Sequence, residues 1–174
     1  MMEQTLVVDA LRSATEVVFS TMLGLDVESQ KPCTANEDPG PSNGIIGLIG
    51  LAGTWVGTVS FCCSAPLACQ ISSRMLNTEF TEVGEEVLDA VAEITNMIVG
   101  GFKTEAETYL GPLGLSIPTV VYGLNFAART VGKEHWVVVP FLCGDDRFEI
   151  KICLTRNRGL PRYPIMGTTQ LAHH

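Results

Sequence analysis

A chain of 174 residues, 46% hydrophobic and 17% charged, has the composition of one folded domain with a well-filled core and not of a disordered or coiled-coil protein. Its net charge of −8 argues against nucleic acid and anionic membranes as partners, because no basic patch is available to neutralise phosphates. No signal peptide is seen and the apolar run 44–52 is too short to span a bilayer, so we expect a cytoplasmic protein.

The first part of the chain predicts a helix, a long loop and two strands. The helix covers residues 4–23 and ends at Gly24, with an apolar side made of Leu6, Ala10, Ala14, Val17 and Val18. Residues 26–43 are rich in Pro, Ser, Asn and acidic residues, which predicts a loop. Strands are predicted at 44–51 and 54–63, joined by a short turn.

The second part predicts two helices followed by three strands. A helix over 65–76 is capped by Ser64, and a long helix begins at Thr81 and runs to residue 108. Strands are predicted at 116–126, 136–143 and 148–154, the last two forming a hairpin around 144–146. Residues 1–156 then form the domain, and 157–174 a partly disordered tail.

This order of elements predicts an α+β fold, in which helices cover a largely antiparallel sheet. We find no convincing internal repeat. The cysteines make no C-x-x-C pair and no His lies at ligand spacing from them, so we expect no metal site and no cofactor. Cys62, Cys63, Cys143 and Cys153 fall in strand-like runs and are predicted to be small core residues.

The long helix carries the candidate functional residues. At about 100° per residue, one apolar stripe is predicted to be buried, and Asp89, Glu93 and Asn96 fall on the opposite face; the stripe consists of Val83, Val87, Val91, Ile94, Ile98 and Phe102. A solvated face is ordinary for a surface helix, but Asn disfavours a helix interior and a glycine pair follows it. Gly100 and Gly101 serve either helix packing or the close approach of a partner.

Four segments resemble the CheC/CheX/FliY family of chemotaxis phosphatases, and most closely its single-site CheX branch. They are 14–24 in the first helix, the strand pair 46–50 and 57–61, the helix segment 89–100, and 113–123. The family signature is an acidic or serine residue, then Glu four positions on and Asn three further, which Asp89, Glu93 and Asn96 match. In the first helix Phe19 stands three residues after Glu16, so we expect no second site.

The resemblance implies a phosphatase that acts on a CheY-type response regulator phosphorylated on an aspartate. Asn96 would orient the attacking water and Glu93 would dock on the regulator's active-site Lys, with Asp89 and Gly100 supporting the contact. Mg²⁺ would belong to the regulator, and the protein would be a homodimer.

Two other interpretations stay open. One is a non-catalytic adaptor of the same fold in two-component or flagellar signalling. The other is a phosphatase for a regulator outside chemotaxis. A thiol or metal enzyme has little support, because no His–Cys or ligand-spaced cluster occurs.

Overall fold

The computed structural model describes residues 2–35, 43–124 and 135–159. Helix α1 (Met2–Val18) continues into a π-helical turn, Phe19–Leu23, and is followed by helices α2 (Ala65–Leu76) and α3 (Glu85–Leu110). The strands are β1 (Glu28–Ser29), β2 (Cys33–Ala35), β3 (Asn43–Gly53), β4 (Trp55–Cys63), β5 (Leu113–Leu115), β6 (Thr119–Leu124), β7 (Trp136–Cys143) and β8 (Asp146–Arg156).

All described strands belong to one antiparallel sheet, in the order β1-β7-β8-β4-β3-β5, with β2 also on β7 and β6 also on β3. Side chains from one face of this sheet form a common core with the helices, since Ile49, Phe61 and Ile150 share a cluster with Leu11 and Ile98. The predicted α+β fold with an antiparallel sheet covered by helices is therefore confirmed.

The topology contains an internal repeat that the sequence does not display. One half is α1-β1-β2-β3-β4 and the other is α3-β5-β6-β7-β8, with α2 as the connection. The halves are interleaved, because the short strands of each pair with a long strand of the other. Strands β4 and β8 pair at the centre, and α1 packs against α3.

A glycine with positive φ ends each of the two equivalent helices. Gly24 follows α1 and its π-helical turn with φ +62°, and Gly111 follows α3 with φ +81°. Ala14 and Gly101 each lie ten residues before their capping glycine, and a Cβ placed on Gly101 would be 3.1 Å from the Cβ of Ala14. The two helices therefore cross at equivalent positions, which provides a register between the two halves.

A stack of phenylalanine rings fills the core beneath the end of α1. The Phe19 and Phe148 rings are nearly parallel with centroids 4.7 Å apart, and Phe141 stacks on the other side of Phe148 at 5.0 Å. Such offset pairs add a modest stabilisation to that of area burial alone. Phe19 is fully buried in this stack.

Two predictions about the first part of the chain are wrong in detail. Leu6 and Val17 are exposed, because the buried stripe of α1 instead runs through Val7, Leu11 and Ala14, a pattern that fits the helical period equally well. The predicted loop 26–43 contains the strands β1 and β2, both of which pair with β7. Each of them is too short to show the alternating pattern by which a strand is predicted. Residues 36–42 lie outside the described part.

The second part also needs corrections at its boundaries. Helix α3 begins at Glu85 and not at Thr81, because Gly84 is extended and forms its N-cap, which leaves Val83 ahead of the helix. Of the predicted strand 116–126, only Thr119–Leu124 is a strand, β6, whereas the short strand β5 lies earlier, at Leu113–Leu115, and was not predicted. Pro118, which has no N–H to pair, lies just before β6. Residues 125–126 of that predicted strand, like most of the tail (160–174), lie outside the described residues.

Other local predictions are confirmed. Ser64 caps α2 by accepting a hydrogen bond from the Leu67 N–H at 3.3 Å. The last hairpin turns at Gly144, which has φ +59°. The four cysteines assigned to the core, Cys62, Cys63, Cys143 and Cys153, are all buried, as is Cys69.

Candidate functional site

Helix α3 is a rigid support with one buried face. Backbone N–H groups of Val87 and Leu88 both bond to the Gly84 carbonyl at 3.1 Å, which begins the helix. The predicted stripe is buried within α3 as expected, at Val87, Val91, Ile94, Ile98 and Phe102, with exposures of 0–1%. Packing of this face, more than helix propensity, holds such an element in place.

The opposite face presents Asp89, Glu93 and Asn96 to solvent, as the pattern predicted. A rise of about 1.5 Å per residue puts Glu93 and Asn96 about 4.5 Å apart along the axis, on adjacent turns. None of the three side chains makes a hydrogen bond or ion pair with any other described residue. A carboxylate and an amide are thus available together for an external molecule.

The two glycines after this group have different surroundings. A Cβ at Gly101 would press on Ala14 of α1, so that glycine serves helix packing. A Cβ at Gly100 would have no neighbour within 4 Å. Packing within the described protein therefore does not require glycine at position 100, and this position leaves open space one turn beyond Asn96.

The stretch of chain that carries the site has charges of a single sign. Between residues 79 and 102 there is no Lys or Arg, while six carboxylates are exposed: Glu79, Glu82, Glu85, Glu86, Asp89 and Glu93. Lys103, just beyond this stretch, pairs with Glu107 at 2.9 Å. This charge favours a docking molecule that presents positive charge.

The site lies on the surface of a helix, away from the apolar cavity at the other end of the fold. That cavity, of about 330 Å³, is lined by residues that include Val7, Trp55, Leu110 and Val137.

No group of three or more His, Cys, Asp or Glu that could hold a metal ion occurs among the described residues. No helix in the described part of the chain has the length and hydrophobicity needed to cross a bilayer.

The register between the two halves identifies the counterpart of the site on α1. Asn96 lies 15 residues before Gly111, and Asp9 lies 15 residues before Gly24; by the same count Glu93 corresponds to Leu6. By this register the α1 positions that correspond to Glu93 and Asn96 are Leu6 and Asp9 rather than Glu16 and Phe19, and Phe19 is a core residue. With Leu6 and Asp9 at the equivalent positions, the Glu–Asn pair occurs on α3 and not on α1.

One residue beside the site received no role from the sequence. Thr95 lies between Glu93 and Asn96 in the chain but is fully buried, facing Gly47 of β3. The position of this polar residue within the apolar stripe of α3 could have indicated a special role. Its contact with Gly47 could not be predicted, because that requires the position of α3 over the sheet.

A family model described as chemotaxis phosphatase CheX matches residues 45–142, which include β4, α3 and most of β3 and β7. This chain belongs to the CheX family.

Relatives agree with this assignment. The chain is 25% identical over 127 residues to the CheY-P phosphatase CheX of Thermotoga maritima, covering 72% of this chain and 81% of the relative. The crystal structure of the chemotaxis protein CheX from Vibrio vulnificus is similar with a TM-score of 0.76 and 29% identity, over 86% of this chain and 99% of that one.

A CheX structure solved as a CheX–CheY–BeF₃–Mg²⁺ complex, from Borrelia burgdorferi, has the same fold. Its TM-score to this chain is 0.71 at 24% identity, over 84% of this chain and 96% of that one. The CheX fold therefore extends over most of this chain, beyond the residues 45–142 that the family model matches.

Proposed function

We propose that this protein is a phosphatase for a CheY-like response regulator phosphorylated on an aspartate. The observation that carries the proposal is the pair Glu93 and Asn96, exposed and without partners among the described residues on a rigid helix, in a member of the CheX family. The Thermotoga maritima relative, which is named as a CheY-P phosphatase, supports this proposal. A substrate of this kind implies that the protein acts in the cytoplasm, where response regulators are found.

The chemistry needs only a well-placed water. An acyl phosphate is already activated, and the regulator supplies a Lys and Mg²⁺ at the phosphoryl group; the Borrelia burgdorferi complex, which contains CheY and Mg²⁺, is consistent with this. Asn96 enters the regulator's active site and holds a water in line with the leaving carboxylate. An amide both donates and accepts hydrogen bonds, so it orients water without placing negative charge beside the phosphoryl oxygens.

Glu93 docks the two proteins by pairing with the regulator's active-site Lys. Its acidic surroundings on α3, with no cation between residues 79 and 102, favour a partner that presents a positive group there. Asp89 supports the contact one turn earlier. Gly100 lets the regulator approach closely, because no described residue of this chain occupies the space beside it.

We further propose that the protein is a homodimer that pairs through strand β6. Within the described residues this strand pairs with β3 on one side only, and Val121, Tyr122 and Leu124 are exposed on it. Residues 113–124 contain no charged residue, so the edge lacks the charges that normally prevent strand pairing. An antiparallel edge can pair with its own copy about a twofold axis, which favours a second copy as the occupant.

Phosphate release from the source organism's own phosphorylated response regulators tests the proposal, with Asn96→Ala as the matched control. We expect the wild-type protein to accelerate release from at least one regulator and Asn96→Ala to lose nearly all of that acceleration. Binding without acceleration would identify the protein as an adaptor. Acceleration that Asn96→Ala retains would overturn the assigned role of the amide.

A further inference from the structure

Thr95 connects the functional face of α3 to the sheet below it. Its side chain is fully buried, and its Oγ1 donates a hydrogen bond of 2.7 Å to the Val91 carbonyl of the same helix. The hydroxyl is therefore satisfied locally, and the side chain is free to act as a spacer between α3 and β3.

Gly47 of β3 lies directly against this spacer. A Cβ added to Gly47 would lie 3.0 Å from the Cβ of Thr95 and 3.2 Å from its Cγ2, and closer still to its Oγ1. The approach to Oγ1 is closer than real Cβ atoms show and the other two are tighter than most, so a side chain at position 47 requires Thr95, with the helix that carries it, to shift. The strand itself cannot easily yield, because Gly47 is paired with Phe61 of β4 and with Val120 of β6.

A second close approach fixes the same helix from the side. Gly101 of α3 lies against Ala14 of α1, where an added Cβ would be at 3.1 Å. The two contacts lie just before and just after the segment that carries Asn96 and Gly100. Between them, the rotation of α3 and its height over the sheet are closely determined.

We infer that Gly47 and Thr95 are positioning residues, whose contact sets where the Asn96 amide stands. The expected effect on turnover rests on the proposed function, whereas the expected effect on the position of Asn96 does not. A displacement of about 1 Å at a group that orients a reactant can cost about a hundredfold in rate. Gly47→Ala should therefore slow turnover although position 47 lies beneath the helix and touches no substrate.

The test compares Gly47→Ala with Gly50→Ala on the same strand, where the nearest atom to an added Cβ is Ser116 Oγ at an ordinary 3.5 Å. We expect kcat for phosphate release to fall about tenfold or more in Gly47→Ala, with a smaller change in KM, and to stay near wild type in Gly50→Ala. The double variant Gly47→Ala/Thr95→Ala removes Oγ1 and Cγ2 of Thr95 and leaves only the tight Cβ–Cβ contact of 3.0 Å, so it should recover part of kcat. Crystal structures should show Asn96 displaced from β3 in Gly47→Ala and closer to its wild-type position in the double variant.

Wild-type kcat in a folded Gly47→Ala variant, or no recovery in a folded double variant, would overturn the inference. Should Gly47→Ala not fold, a folded and active double variant supports the inference and an unfolded one contradicts it. Should the wild-type protein release no phosphate from any regulator, the proposed function fails; the displacement of Asn96 in the crystal structures then decides the positioning inference alone.

Discussion

The carboxylate of Glu107 accepts a hydrogen bond of 2.8 Å from the backbone N–H of Leu113, across the turn that joins α3 to β5. The same oxygen, Oε1, lies 2.9 Å from the Nζ of Lys103, one turn earlier in the helix. One charged group thus connects the C-terminal end of the functional helix to the sheet.

Glu107→Gln should make stability less dependent on pH in acid. The Leu113 N–H, and then Lys103, hold the pKa of Glu107 below its ordinary value of 4.5. A lowered pKa in the folded state contributes stability that is present above the unfolded value and is lost as pH falls through the folded one. Urea unfolding should therefore show Glu107→Gln less stable than wild type at pH 7 and the difference shrinking below pH 4.5.

The control is Glu105→Gln, an exposed carboxylate on the same helix. If Glu107→Gln lowers the free energy of unfolding equally at neutral and at acidic pH, the ionised carboxylate of Glu107 is not the source of the stabilisation.

Asn96→Ala and Glu93→Ala should separate turnover from docking. Both residues are exposed, so the free energy of unfolding should change by no more than about 0.5 kcal/mol. Loss of the Asn96 amide should lower kcat about a hundredfold or more with affinity for the regulator largely kept. Loss of Glu93 should raise KM as well, because the docking charge is gone.

Glu105→Ala removes the same charge from the same helix away from the functional face, and should leave both constants unchanged. Phosphate-release kinetics and calorimetric binding to the regulator measure the two effects; equal behaviour of Glu93→Ala and Glu105→Ala would refute the docking role.

Gly100→Ala and Gly101→Ala should have opposite effects on stability. An alanine at position 100 meets no neighbour and should stabilise the helix by about 0.5–1 kcal/mol, while weakening regulator binding if the partner uses that space. An alanine at position 101 is pressed against Ala14 and should destabilise by about 1 kcal/mol or more.

Thermal unfolding and regulator affinity, measured on both variants, check these signs. Unchanged affinity in Gly100→Ala would remove position 100 from the contact.

Val121→Lys should separate the proposed dimer. Two lysines brought together at the β6 edge repel each other and keep their charge in water, so the mass in solution should fall to that of one 18.7 kDa chain. Val17→Lys, at a 55% exposed position on α1, should leave the mass unchanged. Light scattering over a range of concentrations measures it, and a monomeric wild-type protein would contradict the dimer.

The functional face of α3 could be predicted because its signal is local. A helix places residues at positions i, i+4 and i+7 on one side regardless of what packs against it, so Asp89, Glu93 and Asn96 share a face in any fold that buries the apolar stripe. The caps at Ser64 and Gly24 are local in the same sense. Predictions failed where two local patterns fitted equally well, as on α1, where packing buries Val7 and Leu11 and exposes Leu6 and Val17.

The sequence by itself determined the three helices, the longer strands, the α+β class and the side chains offered to a partner, since these follow from periodicity within short segments. Only the tertiary structure decided that β1 and β2 are strands, that the two halves interleave, and that Gly101 serves packing while Gly100 does not. It alone brought Gly47 beneath Thr95. These features depend on contacts between residues far apart in the chain, and a linear pattern does not encode which distant backbone will lie against a given side chain.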